Sequence, residues 1–165
     1  MAATTFSADP VIRALQDRAD ITDVLYRYAS TIDRFDSAGL RGVLADDMWA
    51  QYGNAEPVSG GDAVASWIGE AIANVVWQHH LLSVYHVDVD VAGDHASALV
   101  YHTSYQVFED DQETAKLLVG RYHNELRREP DGWRISKLEL EILWAEEKSD
   151  PTGYLALIGG RGPRA

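Results

Sequence analysis

The stretch SWIGEAIANVVWQHHLLSVYHVDVDVAGD, residues 66–94, contains the change of period on which the fold turns. Up to Val75 the apolar residues Val64, Ile68, Ile72 and Val75 recur at helical spacing. From Leu82 the period is 2, with Tyr85, Val87, Val89 and Val91 alternating against His86, Asp88 and Asp90. A helix gives way to a strand with one core face and one wetter face. His79 and His80, two of only six histidines, sit at that junction.

Upstream, Asp9 and Pro10 read as an N-cap followed by proline at the first helical position, opening a helix that runs through residues 11–36. Ile21, Val24, Leu25, Tyr28 and Ile32 form its apolar stripe. Ser37 is expected to cap a second short helix carrying Leu40, Val43 and Leu44, and an extended segment covers Met48 to Tyr52. PVSGGD has turn chemistry, and Asp62 is expected to cap the third helix. Downstream, long antiparallel strands are expected at about 82–91, 95–108, 114–128 and 133–144, joined by AGD, EDDQE and EPDG. In the last of them Leu138, Leu140, Ile142 and Trp144 alternate with Lys137, Glu139 and Glu141.

Helices first and a sheet afterwards is an α+β arrangement, with N-terminal helices packed on one side of a strongly curved antiparallel sheet and a cavity between them. At 165 residues and 46% hydrophobic content the chain fits one domain, residues 1–165, with its core at about 10–145 and a tail at 150–165 that closes the cavity or docks on a neighbour. With no cysteine there is no thiolate nucleophile, zinc ribbon or iron–sulfur cluster. A net charge of −12 argues against nucleic acid as a partner. No apolar run approaches the roughly 18 residues of a membrane span, and the start lacks the charged and apolar regions of a secretory leader, so a cytoplasmic location is expected. Nucleotide, nicotinamide and flavin motifs and the Gly-x-Ser-x-Gly nucleophile signature are missing; GGRG, residues 159–162, reads as tail.

Four strings carry a family resemblance: YRYASTIDRFD at 26–36, QHH at 78–80, VAGDHASA at 91–98 and GRYHNELRREPDGWRISKL at 120–138. Over about residues 10 to 145 the chain resembles the SnoaL-like branch of the nuclear transport factor two-like superfamily. That resemblance implies a cone-shaped α+β domain with a mostly apolar cavity, as in polyketide cyclases, scytalone dehydratase, bile-acid dehydratases and lindane dehydrochlorinase. It implies a catalytic Asp near the end of the first helix and a catalytic His just before the first long strand, here Asp33 and His80, with His79 turned away. Tyr28, five residues before the Asp, matches a tyrosine of some dehydratases. Where some relatives carry an arginine on the last strand, this chain has Leu138.

A carboxylate that orients an imidazole and balances its charge leaves the other ring nitrogen to take a substrate proton, which is general-base chemistry without cofactor or metal. His102, inward with Val100 and Ser104 by strand alternation, joins Tyr122, Asn124 and Tyr26 as candidate substrate-binding residues. His86, Asp88 and Asp90 are metal-ligand types on one strand face, and they match a solvent-facing strand better. The expected function is that of a dehydratase, cyclase or isomerase acting on a small, largely apolar polyketide-, steroid- or terpenoid-like metabolite. The competing readings are a non-catalytic binding protein or a structural subunit of the same fold, and an epoxide-opening hydrolase, which needs a second inward carboxylate. Leu118 and Leu143 on the outer strand faces make a homodimer or higher homo-oligomer plausible.

Overall fold

The computed structural model describes residues 9–149. Helix α1 spans Pro10–Asp33, and the Asp9 carboxylate accepts the N–H groups of Val11 and Ile12, so the cap is the expected one. The stripe Ile21, Val24, Leu25, Tyr28 and Ile32 is buried throughout, each side chain contributing roughly 1.5–3 kcal/mol of transfer free energy. The helix stops three residues short of its expected end. Phe35 adopts φ 57°, and its N–H and that of Asp36 turn back to the carbonyls of Ile32 and Thr31, a Schellman closure that ends the helix on Asp33.

Asp36, not Ser37, caps the short helix α2 (Ser37–Arg41), its carboxylate accepting the Gly39 N–H at 2.8 Å. Only Leu40 of the expected apolar trio lies in that helix; Val43 is in the following turn and Leu44 opens strand β1 (Leu44–Tyr52). After β2 (Val58–Ser59), helix α3 (Gly61–Ala71) starts from Gly60 with no side-chain cap. Asp62 lies two residues past the cap position, inside the first turn, and accepts from Arg41 Nε at 2.6 Å.

The long strands are β3 (Val75–Val89), β4 (His95–Phe108), β5 (Thr114–Glu129) and β6 (Gly132–Ser149), paired antiparallel in succession. Strand β1 joins β6 in parallel, so the sheet is mixed, in the order β2-β1-β6-β5-β4-β3. Val75 belongs to β3, not α3, and the strand begins seven residues before its expected start at Leu82. The run VVWQHHLL hid this, because Trp77 and Leu81 are apolar side chains on the exposed face and blur the alternation.

Bulges reset the faces elsewhere. A register shift between Val84 and His86 places Tyr85 outside, stacked on Tyr101 at 4.4 Å, while Val87 stays buried; Val91 lies beyond the strand, fully exposed. In β6 the shift at Leu143 pairs Ile142 with Gly120 and Trp144 with Val119, so the expected alternation ends there: Leu138 and Leu140 are buried, Ile142 and Trp144 exposed.

The core fills the space between α1, α3 and the inner sheet face. An ion pair joins the buried Asp17 of α1 to the partly exposed Arg128, whose guanidinium lies 4.5 Å from the Trp133 ring centroid, tying the helix to the β5–β6 hairpin. No helix among the described residues is long and apolar enough to cross a membrane.

Candidate active site

Strand alternation decides which histidine faces inward. Gln78, His80, Leu82 and Val84 point toward α1, while Trp77, His79, Leu81, Ser83 and Tyr85 take the outer face. His79 is therefore exposed, its ring near Trp77. His80 meets Asp33, the last residue of α1: Nδ1 lies 2.6 Å from one carboxylate oxygen, and the His80 backbone N–H donates to the other at 3.0 Å. Both carboxylate oxygens are thus engaged at a helix C-terminus, where the macrodipole opposes a negative charge. Because an ionised carboxylate only accepts, the contact places a hydrogen on Nδ1, and in the neutral ring Nε2 then keeps its lone pair.

From His80 a wall of rings runs across the inner sheet face. The His102 ring is 6.3 Å from that of His80 and lies flat on Tyr122 at 4.4 Å; Tyr122 meets Tyr28 edge-on at 5.9 Å. The Tyr28 and Tyr52 hydroxyls are 2.8 Å apart, and Tyr52 stacks on Trp67 of α3. Gly120 makes room for this: a Cβ there would come within 2.7 Å of both His102 Nε2 and the Glu141 carbonyl oxygen.

Two polar side chains of this face are orphaned. Both ring nitrogens of His102 and both amide atoms of Asn124 are buried without a hydrogen-bond partner among the described residues. Such groups are destabilising unless something else supplies partners. Burial, reinforced by His80, lowers the His102 pKa to about 4, so the ring is neutral near pH 7 and offers one donor and one acceptor. Burial likewise pushes the Tyr28, Tyr52 and Tyr122 phenols up, and they persist as neutral hydroxyls able to donate. Among the described residues no lysine or arginine is buried, and Leu138 is fully enclosed.

The His102 shift has a measurable consequence. With a folded pKa of about 4 against 6.5 unperturbed, the unfolded chain binds more protons between these values, so stability from this group is complete above about 6.5 and is lost as pH falls toward 4. In thermal unfolding across that range wild type should lose stability relative to His102→Gln on acidification; a constant difference would mean that His102 is not buried neutral.

Of the residues expected from sequence, Asp33, His80, Tyr28, His102, Tyr122 and Asn124 converge, and Tyr26 does not. Two residues along a helix rotate the side chain by about 200°. Tyr26 is accordingly 46% exposed, in a shallow surface hollow with Leu15, Arg18 and Thr22. Of the HVDVD residues, His86 and Asp88 are exposed, and Asp90 Oδ1 accepts the N–H groups of Gly93, Asp94 and His95, as a hairpin-turn residue does. Asp90, Asp94 and His95 are close enough to share an ion, but all three are exposed and the turn accounts for their proximity.

Tyr52, Trp67 and Gln78 were not legible as site residues. Tyr52 enters through the parallel β1–β6 pairing, Trp67 through its stack on Tyr52, and Gln78 through a strand start earlier than its pattern. For Gln78 a signal did exist, an amide two positions before an inward histidine. The tail at 150–165 lies outside the described residues.

The family model of the SnoaL-like domain matches residues 13–139. The chain belongs to the SnoaL-like family. An uncharacterized protein of Mycobacterium tuberculosis strain H37Rv is 31% identical to this SnoaL-like protein over 127 residues, 75% of this chain and 84% of the relative. The structure of a type 2 hexachlorocyclohexane dehydrochlorinase has the same fold, with TM-score 0.74 and 17% identity over 85% of this chain and 97% of its own. So does a provisionally named aromatic ring hydroxylase of Novosphingobium aromaticivorans, with TM-score 0.73 and 26% identity over 86% and 97%. The α+β cone expected of a SnoaL-like chain is thus the fold observed.

Proposed function

We propose that this SnoaL-like protein is a cofactor-independent lyase or isomerase whose base is His80. The observation that carries the reading is the Asp33–His80 contact at 2.6 Å, which leaves Nε2 unprotonated on a face that also presents neutral hydroxyl, imidazole and amide groups. His80 Nε2 takes a proton from carbon next to a carbonyl, and Asp33 balances the imidazolium that forms. The charge developing on the carbonyl oxygen is met by donors from the Tyr28–Tyr52 pair, Tyr122, His102 or Asn124. In a dehydration the imidazolium then returns its proton to the departing hydroxyl, which leaves as water as the double bond forms; in an isomerisation it returns the proton to another carbon. The like-named function of the dehydrochlorinase, an elimination, is in keeping with this chemistry.

With Asp33 inside and no buried cation among the described residues, the substrate is neutral and carries at least two oxygen functions on an apolar frame, as small polyketide-, steroid- or terpenoid-like hydroxyketones do. A panel of such compounds, incubated with the protein and followed by mass spectrometry, should show loss of water or an isomer with wild type and none with His80→Ala. Tight binding without turnover, equal in both proteins, would instead make this a binding protein with the same fold.

A further inference from the structure

We infer that Gln78 is a positioning residue that sets the geometry of the Asp33–His80 pair, an inference that rests on the dyad reading above. Gln78 is 5% exposed, on the inner face of β3 two residues before His80. Its amide Nε2 donates to the Ile32 carbonyl at 2.6 Å, and Ile32 directly precedes Asp33. Its Oε1 accepts from Gln106 Nε2 of β4 at 3.2 Å. The orientation is dictated chemically: a carbonyl can only accept, so the amide nitrogen must face α1, and the oxygen is left for Gln106.

Two consequences follow for the dyad. The bond gives the Ile32 carbonyl a second donor beside the Phe35 N–H, filling its other lone pair, and it places a donor at the negative end of the helix beside a carboxylate that this end disfavours. It also fixes the end of α1 to β3 within one residue of Asp33 and two of His80, so any slide of helix against strand is taken up at the carboxylate–imidazole contact. The His80 backbone N–H and Nδ1 bind Asp33 from the strand side; Gln78 holds the helix so that both bonds form together. The neighbouring Thr31 hydroxyl is turned back to the Arg27 and Tyr28 carbonyls of its own helix and makes no such link. Gln106 acts one step further out, keeping the Gln78 amide from rotating.

The test needs no substrate, so it reads separately from whether the protein is an enzyme. Full-length protein with 15N-labelled histidine is compared by NMR as wild type, Gln78→Met, Gln106→Met, Asp33→Asn and the double variant Gln78→Met/Asp33→Asn. Wild type should show His80 as the Nδ1–H tautomer with a slowly exchanging Nδ1 proton. In Gln78→Met that proton should exchange about tenfold faster, the factor carried by one ordinary hydrogen bond, and the tautomers should mix. Gln106→Met, which keeps Gln78, should show the same change more weakly, and it carries the test if Gln78→Met does not fold. On the Asp33→Asn background Gln78→Met should alter the His80 ring signals no further. His80 signals like wild type in both methionine variants would reduce Gln78 to packing and overturn the inference. A wild-type His80 that is not the Nδ1–H tautomer would overturn the dyad reading itself.

Discussion

Replacing His80 with alanine should lower turnover by at least about a hundredfold with the fold retained, as loss of a general base does, while His79→Ala should leave turnover within a few-fold of wild type. The asymmetry follows from strand geometry. Adjacent residues of β3 point to opposite faces; His80 touches Asp33 and faces the His102 ring, whereas His79 lies outside near Trp77. Neither change should unfold the protein, because His80 makes one side-chain hydrogen bond and is not part of the main hydrophobic cluster. Steady-state rates on the compound that wild type converts, with far-ultraviolet dichroism as the folding control, decide the matter. A dead His79→Ala beside an active His80→Ala would place the reaction on the outer sheet face and remove the inner wall from consideration.

Asp33→Asn should cost a comparable factor, at least about a hundredfold, through the tautomer. An asparagine amide turned to donate to Nδ1 forces the hydrogen onto Nε2, and the lone pair that takes the substrate proton is gone. Even with the amide oxygen turned to Nδ1, the imidazolium loses its compensating charge. Once His80 is alanine, neither function of the carboxylate exists, so the double variant should be no more than a few-fold slower than His80→Ala alone. Ligand affinity should fall much less than rate in all three proteins, because apolar and aromatic contacts are expected to supply most of it. Multiplying rate losses in the double variant, or affinity falling in step with rate, would count against a coupled pair.

Much of this architecture could be read along the chain because it is set by near neighbours. The α1 stripe, its Asp9–Pro10 start and the inward set Val100, His102 and Ser104 on β4 are local patterns, and the structure has them where periodicity placed them. Boundaries failed where two signals overlapped. Val75 continues the helical spacing of Ile68 and Ile72 yet pairs with Phe108, and the Tyr85 and Trp144 faces were changed by bulges whose extra residue leaves no mark in an alternating pattern. Tyr26, expected in the site, lies two residues before the buried Tyr28, and the helical rotation between them carries it to solvent.

The amino-acid order by itself determined the helix-then-sheet class, the apolar stripe of α1, and, through the family strings, Asp33 and His80 as the residues to watch. It did so because helix periodicity and strand alternation are properties of consecutive residues, and a motif is a local string. Only the tertiary structure decided that the Asp33 carboxylate holds His80 by ring and backbone at once, that Tyr52 shares a proton contact with Tyr28, and that Gln78 ties the two elements together. Those contacts join residues 24, 46 and 47 positions apart, and their distances depend on the Schellman stop at Phe35, the bulge near Val75 and the parallel β1–β6 pairing. Each of these is a balance of backbone hydrogen bonding and packing across the whole sheet, and no window of consecutive residues contains it.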